Sequence, residues 1–441
     1  MSRWKLTPYQ ILALGFAGLI LVGALLLTTP AASATGERVS FLDALFTATS
    51  AVCVTGLAVV DTGTRFSLFG QTVILGLIQA GGLGIMTMAT LMALLMGKRI
   101  QLRERLVMQE ALNQLTIAGV VRLTQYIIKA TLLIEFVGGT LLAFHWYEDM
   151  GAKGIYFGYW HAVSAFCNAG FDLFGGGRSL TGYVDDVTVN LVVSSLIILG
   201  SIGFVVIADV WEKRRFRAFS LHTKVVLVAT AFLTILGMLV ILLIEWDNPA
   251  TIQNLSLKGK LLASYFQSVS PRSAGYNTIS IANMENATLF FIVILMFIGA
   301  SPGSTGGGIK ITTVGILVAA IGALIRGKED VEMFERQIPK TIVYKAFALV
   351  FIASAMVIFS TMMLSLSEEA PFLQILFEVV SAFGTAGLTT GLTASLTASG
   401  KFWIILTMFA GRVGPVTLVL ALAMRQRRTV VQYPEGKVII G

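Results

Sequence analysis

The sequence predicts an all-α membrane protein: four parallel repeats of helix, re-entrant loop and helix, eight transmembrane helices in all, set pseudo-fourfold around one axis. Three observations predict it. The 441 residues are 56% hydrophobic and 13% charged, about half the charge of a soluble domain. Long apolar stretches alternate with short ones that cannot cross a bilayer. A glycine-centred segment recurs four times at near-equal spacing. Such a composition excludes soluble enzymes and nucleic-acid binders, so the net charge of +8 reads as topology rather than as a polyanion site. Two cysteines and three scattered histidines offer neither a disulfide framework nor a zinc site.

The first helix runs from Pro8 to Thr29. Its apolar length suffices to cross a hydrocarbon core of about 30 Å, which separates it from a signal peptide despite Arg3 and Lys5. Pro8 behind Thr7 suits a first helical turn, where a missing N–H costs nothing. Seven further stretches read as helices: Phe69 to Met96, Leu123 to Phe144, Val187 to Ala208, Val225 to Ile244, Ala287 to Ile325 with an interruption, Ala346 to Leu366, and Phe402 to Met424. Between the members of each pair lies a shorter apolar segment, starting near Phe41, Gly158, Leu262 and Phe372, that fits a dip into the membrane. Counted over alternating connections, basic residues divide 21 to 8. Both termini fall on the rich, cytoplasmic side, and the dips enter from outside.

The repeat fixes the architecture. Ser50-Ala51-Val52-Cys53-Val54-Thr55-Gly56-Leu57 aligns with Ser164-Ala165-Phe166-Cys167-Asn168-Ala169-Gly170-Phe171, with Val269-Ser270-Pro271-Arg272-Ser273-Ala274-Gly275-Tyr276, and with Ser381-Ala382-Phe383-Gly384-Thr385-Ala386-Gly387-Leu388. A small residue precedes each glycine, a bulky one follows, and an aromatic (Phe46, Trp160, Tyr265, Phe377) stands ten residues upstream. The units are 1–97, 98–217 with its cytoplasmic connection, 218–325, and 326–424 with its connection, followed by a cytoplasmic tail, 425–441. All dips start from one side, which disfavours the inverted repeats of an alternating-access carrier.

A cation crossing a bilayer must exchange its water shell for fixed oxygens, and backbone carbonyls are suitable donors. Presenting them needs unusual dihedrals without side-chain bulk, where glycine is cheap. Exposed backbone at this depth is tolerated only around a cavity. A short helix ending at each loop would aim its partly negative C-terminus at the cation. The four loops therefore read as a cation filter around one pore, built from Cys53, Val54, Thr55, Gly56; Cys167, Asn168, Ala169, Gly170; Ser273, Ala274, Gly275; and Gly384, Thr385, Ala386, Gly387.

On this fourfold pattern the chain resembles, over nearly its whole length, the Trk/Ktr/HKT superfamily of potassium transporters, and most of all its KtrB branch, since it starts directly at the first unit. The resemblance implies potassium uptake, with K⁺ held at Gly56, Gly170, Gly275 and Gly387 and with Na⁺ as a candidate activator. It also implies a homodimer with one pore per chain, contacts from the tail, and a separate KtrA-like cytosolic ring that binds ATP or ADP. With one shared glycine per loop, fewer ordered carbonyl rings are expected than in a potassium channel, hence weaker discrimination against Na⁺.

The third unit's second helix is interrupted by Gly299, Ala300, Ser301, Pro302, Gly303, Ser304, Thr305, Gly306, Gly307, Gly308, Ile309 and Lys310. A lone proline kinks a membrane helix, but twelve small, polar residues form a loop at membrane depth. The resemblance makes this loop the intramembrane gate. It is not a phosphate-binding loop, because Lys310 stands between Ile309 and Ile311 rather than before Ser or Thr. Arg412 lies at the corresponding point of the fourth unit. A mid-membrane charge is expensive and functional by default, so Arg412 reads as an electrostatic barrier, the family's pore arginine. The competing reading pairs it with Asp209 or Glu135.

Other features read as structural. Lys129 and Glu135 are packing or interfacial charges. Arg272 is expected to hold its loop by pairing with Glu378 or Asp172. Cys53 and Cys167 are small packing residues, and His161 is a hydrogen-bonded structural residue. The periodic segment from Gln101 to Leu112 is expected along the inner membrane surface, against lipid or a docking partner. An ion-coupled secondary carrier is the alternative function. An intramembrane enzyme lacks paired carboxylates, metal ligands or a nucleophile with a base.

Overall fold

The computed structural model describes residues 7–84, 87 and 120–414. The surface segment 101–112 and the tail 425–441 lie outside the described residues.

Among the described residues four helices are long and apolar enough to cross a membrane, and each is the first helix of its sequence unit. They are α1 (Pro8–Leu27), α4 (Val120–Met150), α8 (Leu221–Glu245) and α12 (Lys340–Ser367). α1 begins in a capping box: Thr7 accepts from the Gln10 N–H at 3.3 Å and the Gln10 side chain accepts from the Thr7 N–H at 3.0 Å. α8 is capped by Ser220, which accepts from the Thr223 N–H. These helices turn apolar residues outward, among them Leu25, Phe144, Leu243 and Phe351, as a lipid-facing layer would.

Inside them lie the dips: α2 (Phe41–Val52), α5 (Ala152–Phe166), α9 (Leu257–Val269) and α13 (Phe372–Gly384). α5 and α9 begin several residues before the expected starts near Gly158 and Leu262. All four have peripheral N-termini and buried C-termini. Ser40 and Ser256 cap the exposed ends of α2 and α9, whereas Ala51, Val52, Ala165, Phe166, Val269 and Phe383 are buried. Gly154 and Gly158 bring α5 flush against α4, since a Cβ at Gly158 would meet the Ala143 backbone at 2.5 Å. Of the aromatics ten residues before the glycines, Phe46, Trp160 and Phe377 are fully buried, whereas Tyr265 is half-buried and its neighbour Phe266 is buried instead.

The second helices overturn one expectation. Instead of four helices with a single interruption, all four show an end, a bend or a loop within the described residues. α3 (Leu68–Leu83) ends at Gly84, and α14 (Ala398–Val413) ends at Gly414. α6 (Val187–Ile202) turns by 96° at Gly203 into α7 (Phe204–Lys213), so Val187 to Ala208 is not one straight helix. α10 (Asn286–Phe297) gives way to the loop 299–310 before α11 (Ile311–Ile325). Counted by length and composition alone, the described residues hold four spans, or five with the bent pair.

A small correction concerns the all-α class. A two-stranded antiparallel hairpin, β1 (Val331–Met333) with β2 (Arg336–Ile338), joins α11 to α12, with Val331 opposite Ile338. Phe334 and Glu335 take positive φ at its tip, as a tight hairpin turn demands.

Candidate functional site

The four glycine loops meet. A Cβ built on Gly56 would lie 2.5 Å from the Ala169 carbonyl oxygen, one on Gly170 would lie 2.7 Å from that of Ala274, and one on Gly275 would lie 3.1 Å from that of Ala386. One on Gly387 would collide with the Thr55 carbonyl, which closes the ring on the first loop. Each contact joins a glycine to the carbonyl just before the next glycine. The four glycines have φ of +91°, +69°, +79° and +78°, so close approach and dihedral both demand glycine.

The residue two before each glycine is also left-handed: Val54, Asn168, Ser273 and Thr385, with φ between 48° and 70°. For β-branched Val54 and Thr385 this is a strained region, occupied only where the surroundings over-determine it. Three of the loops share one hydrogen bond across the turn. Thr55, Ala169 and Ala386 donate their N–H groups to the carbonyls of Ser50, Ser164 and Ser381, each at 2.8 Å. In the third loop the bond from Ala274 reaches Ser270 at 2.9 Å, one residue nearer in sequence.

Beneath the ring lies the loop 299–310, seated against the other units. Ser301 donates its N–H to the Ser201 carbonyl at 2.9 Å, Thr305 to that of Gly200 at 3.2 Å, and Phe204 to that of Gly303 at 3.0 Å. The Thr305 hydroxyl lies 3.1 Å from the Gly200 carbonyl and 3.2 Å from that of Phe166. With its amide oriented to suit its neighbours, Asn168 accepts from this hydroxyl at 3.3 Å and donates to Ile197 and Ala165. Gly307 donates its N–H to the Thr385 hydroxyl at 3.0 Å, and the Ser273 hydroxyl donates to the Gly384 carbonyl at 2.8 Å. Two of the left-handed residues, Asn168 and Thr385, thus tie glycine loops to the loop below, a role the sequence alone did not disclose. Lys310 folds back, donating to the Gly306 carbonyl at 2.8 Å.

Arg412 reaches this loop, as its position in the fourth unit implied. Its guanidinium donates to the carbonyls of Thr305 and Gly81, and to that of Gly82 at 3.3 Å. Neither acid offered as a competing partner is engaged. Asp209 pairs with Lys213 at 2.7 Å, and Glu135 accepts from Gln79 at 3.2 Å and lies 3.7 Å from the Cys167 sulfur. Arg412 therefore bridges the fourth unit's second helix, the loop of the third unit and the end of the first unit's second helix.

The family profile described as TrkH, cation transport protein, matches residues 7–432. The chain belongs to this family. It is accordingly a multi-pass membrane protein of the Trk/Ktr superfamily. The Ktr system potassium uptake protein B of Bacillus subtilis (strain 168) is 46% identical over 441 residues, covering 100% of this chain and 98% of that protein. The protein of the same description from Vibrio alginolyticus is 40% identical, covering 98% and 94%. The potassium/sodium uptake protein NtpJ of Enterococcus hirae is 42% identical, covering 100% and 98%. The crystal structure of the potassium transporter TrkH from Vibrio parahaemolyticus superposes with a TM-score of 0.75 at 17% identity, covering 96% of this chain and 86% of that one, which shows a common fold.

One side-chain expectation is corrected. Arg272 pairs with neither Glu378 nor Asp172. It is 3% exposed and donates to the Thr234 hydroxyl on α8 at 2.7 Å, a neutral acceptor on the outer helix. Glu378 is saturated instead by the hydroxyls of Thr389, Thr390 and Thr393 and by the Thr390 N–H. Glu135, read as packing or interfacial, is 5% exposed and hydrogen-bonded, whereas Lys129 is exposed. Cys53 and Cys167 are fully buried, and both ring nitrogens of His161 are engaged, as expected.

The sequence also missed a second glycine series. Gly81, Gly200 and Gly411 each press on a carbonyl at the end of a dip helix, those of Val52, Phe166 and Phe383. Three residues later Gly84, Gly203 and Gly414 break the helix at φ of +84°, +92° and +92°. The Gly-x-x-Gly spacing, common to three units, was the available signal.

Proposed function

We propose that this chain is the pore-forming subunit of a potassium uptake system. K⁺ is held at Gly56, Gly170, Gly275 and Gly387, and the flanking residues Cys53 to Thr55, Cys167 to Ala169, Ser273 and Ala274, and Gly384 to Ala386 build the filter. The closed ring of glycine-to-carbonyl contacts carries this reading. It brings four backbone turns to one place, each at the buried, partly negative end of a short helix, where a dehydrated cation is favoured. The four units surround one pore pseudo-fourfold, and the broken second helices complete the count of eight spans. The names of the relatives from Bacillus and Vibrio support potassium as the ion, and that of the Enterococcus relative supports Na⁺ as a second permeant or activator.

The loop 299–310 is the gate and Arg412 its electrostatic barrier. The arginine supports this by meeting carbonyls rather than a neutralising acid, so its charge stays uncompensated beneath the ring. Both termini are cytoplasmic, on the strength of the basic-residue count. The description of the relatives as parts of a Ktr system supports further subunits; the resemblance to the KtrB branch makes these a cytosolic KtrA-like nucleotide-binding ring that regulates the chain, which acts as a homodimer of two pores. Tracer K⁺ uptake into proteoliposomes, with and without an imposed voltage, tests the core of the proposal. Flux that follows voltage is expected. Electroneutral flux of fixed stoichiometry would overturn the pore in favour of a carrier.

A further inference from the structure

Nine residues before each filter glycine, on the dip helix, stand Thr47, His161, Phe266 and Glu378. Nothing in their chemistry relates them. Two of them nevertheless perform one task. His161 Nδ1 lies 2.7 Å from the Phe157 carbonyl and so carries the proton, which leaves Nε2 as an acceptor. Nε2 receives the N–H of Leu173 at 3.3 Å, three residues beyond Gly170. Glu378 Oε1 receives the N–H of Thr390 at 3.0 Å, three residues beyond Gly387. A ring nitrogen and a carboxylate occupy the same register and accept from the same backbone position of their loops.

The other two units lack this brace. Thr47 turns its hydroxyl to the Asp43 carbonyl at 2.8 Å, and Phe266 has no acceptor. In the ring the second and fourth loops are not neighbours: Gly56 meets Gly170, Gly170 meets Gly275, Gly275 meets Gly387, and Gly387 meets Thr55. The braced loops therefore face each other across the ring, and the unbraced ones occupy the other diagonal.

Both acceptors are built in. His161 is 1% exposed and packed by Trp146, Phe157, Trp160 and Phe174. Glu378 is 0% exposed, and every partner it has can donate, with Thr393 reaching Oε2 at 2.6 Å. The limb that each holds leaves the filter glycine directly, so a lost bond frees the glycine's own carbonyl to move.

We propose that His161 and Glu378 are positioning residues that hold two opposed filter loops at the spacing that favours K⁺ over Na⁺. This rests on the filter reading above, and the test separates the two. The full-length chain is reconstituted in proteoliposomes, and the ratio of apparent K⁺ to Na⁺ affinity is read by competition against tracer rubidium in one vesicle preparation. That ratio does not depend on how much protein folds. His161→Phe and Glu378→Leu, which keep bulk and remove the acceptor, should each lower it about tenfold, as expected for one strong buried hydrogen bond. Glu378→Gln keeps an acceptor for Thr390 and should stay within about twofold of the parent. Phe266→Leu should leave the ratio unchanged.

An unchanged ratio in both acceptor-less variants, with Gly275→Ala collapsing it, would overturn the brace and leave the filter standing. An unchanged ratio in Gly275→Ala would overturn the filter and the brace together. An equal fall in Phe266→Leu would reduce the effect to general packing and overturn the specific role.

Discussion

The two ends of the broken second helices and the loops above them obey different rules. In the upper layer, four loops of unlike sequence adopt one backbone path, with a left-handed residue two before each left-handed glycine. In the lower layer, the four second helices end differently: at Gly84, by a 96° bend at Gly203, through the loop 299–310, and at Gly414 beside Arg412. Equivalence suits a site that surrounds one spherical ion. Inequivalence suits a device that must open, since a single mobile element moves more readily than four moving in concert. In each ring loop the carbonyl before the glycine faces a neighbouring glycine. The inner loop is instead held by a few hydrogen bonds to other units.

The largest effect should come from the upper layer. Gly387→Ala places a Cβ against the Thr55 carbonyl at a φ of +78°, and K⁺ uptake should fall about 100-fold or more, equivalent to roughly 3 kcal/mol. Uptake near the parent level would break the claim that the ring is continuous. Next is the lower layer. Deleting Gly303 to Gly306 removes the contacts of Gly303 to Phe204 and of Thr305 to Gly200 and should raise flux about tenfold, or ~1.4 kcal/mol off the barrier. Unchanged flux would leave the loop without a gating role. Arg412→Ala should raise flux about threefold, with Arg412→Lys in between because one point charge cannot reach three carbonyls at once. A large loss would make the arginine purely structural.

Smaller still, Gly203→Ala sets a Cβ 2.8 Å from the Pro302 carbonyl at a φ of +92° and should lower thermal stability by about 1 to 3 kcal/mol. The ratio of K⁺ to Na⁺ affinity should not move, and a shift there would blur the separation of the layers. The smallest effect concerns Asp172, in the loop beyond Gly170. Burial, together with the nearby Asp61 charge, raises its carboxyl to about 6, against the pull of the Phe174 N–H and Arg178. It is charged above that pH and neutral below, so the negative charge near the ring is lost on acidification. Apparent K⁺ affinity should weaken about twofold between pH 7.5 and pH 5, and Asp172→Asn should remove the dependence.

How much of this could be read in the sequence follows from what each feature asks of a residue. Gly56, Gly170, Gly275 and Gly387 were legible because no other residue tolerates both the dihedral and the neighbouring carbonyl, so their type repeats. The left-handed turns at Val54, Asn168, Ser273 and Thr385 were not, because a hydrogen bond and the surrounding packing impose them on any side chain. The loop 299–310 was legible through its polar composition at membrane depth. The breaks at Gly84, Gly203 and Gly414 were overlooked because the helices around them remain apolar. Arg272 was assigned an acid on the rule that buried charges seek counter-charges, but the Thr234 hydroxyl of the outer helix was nearer, and Glu378 was already filled.

The ring closes where Gly387 meets Thr55, and Lys401 on the last helix pairs with Asp43 on the first dip at 2.7 Å. A chain made from its N-terminus onward places three of its four units in the bilayer before the partner for the first exists. Until the fourth arrives, the first three hold an open arc of polar backbone that lipid cannot solvate. Assembly is thus completed in one late docking step across the whole length of the chain. A nascent chain stalled before residue 372 would be a substrate for quality control rather than a leaky conduit.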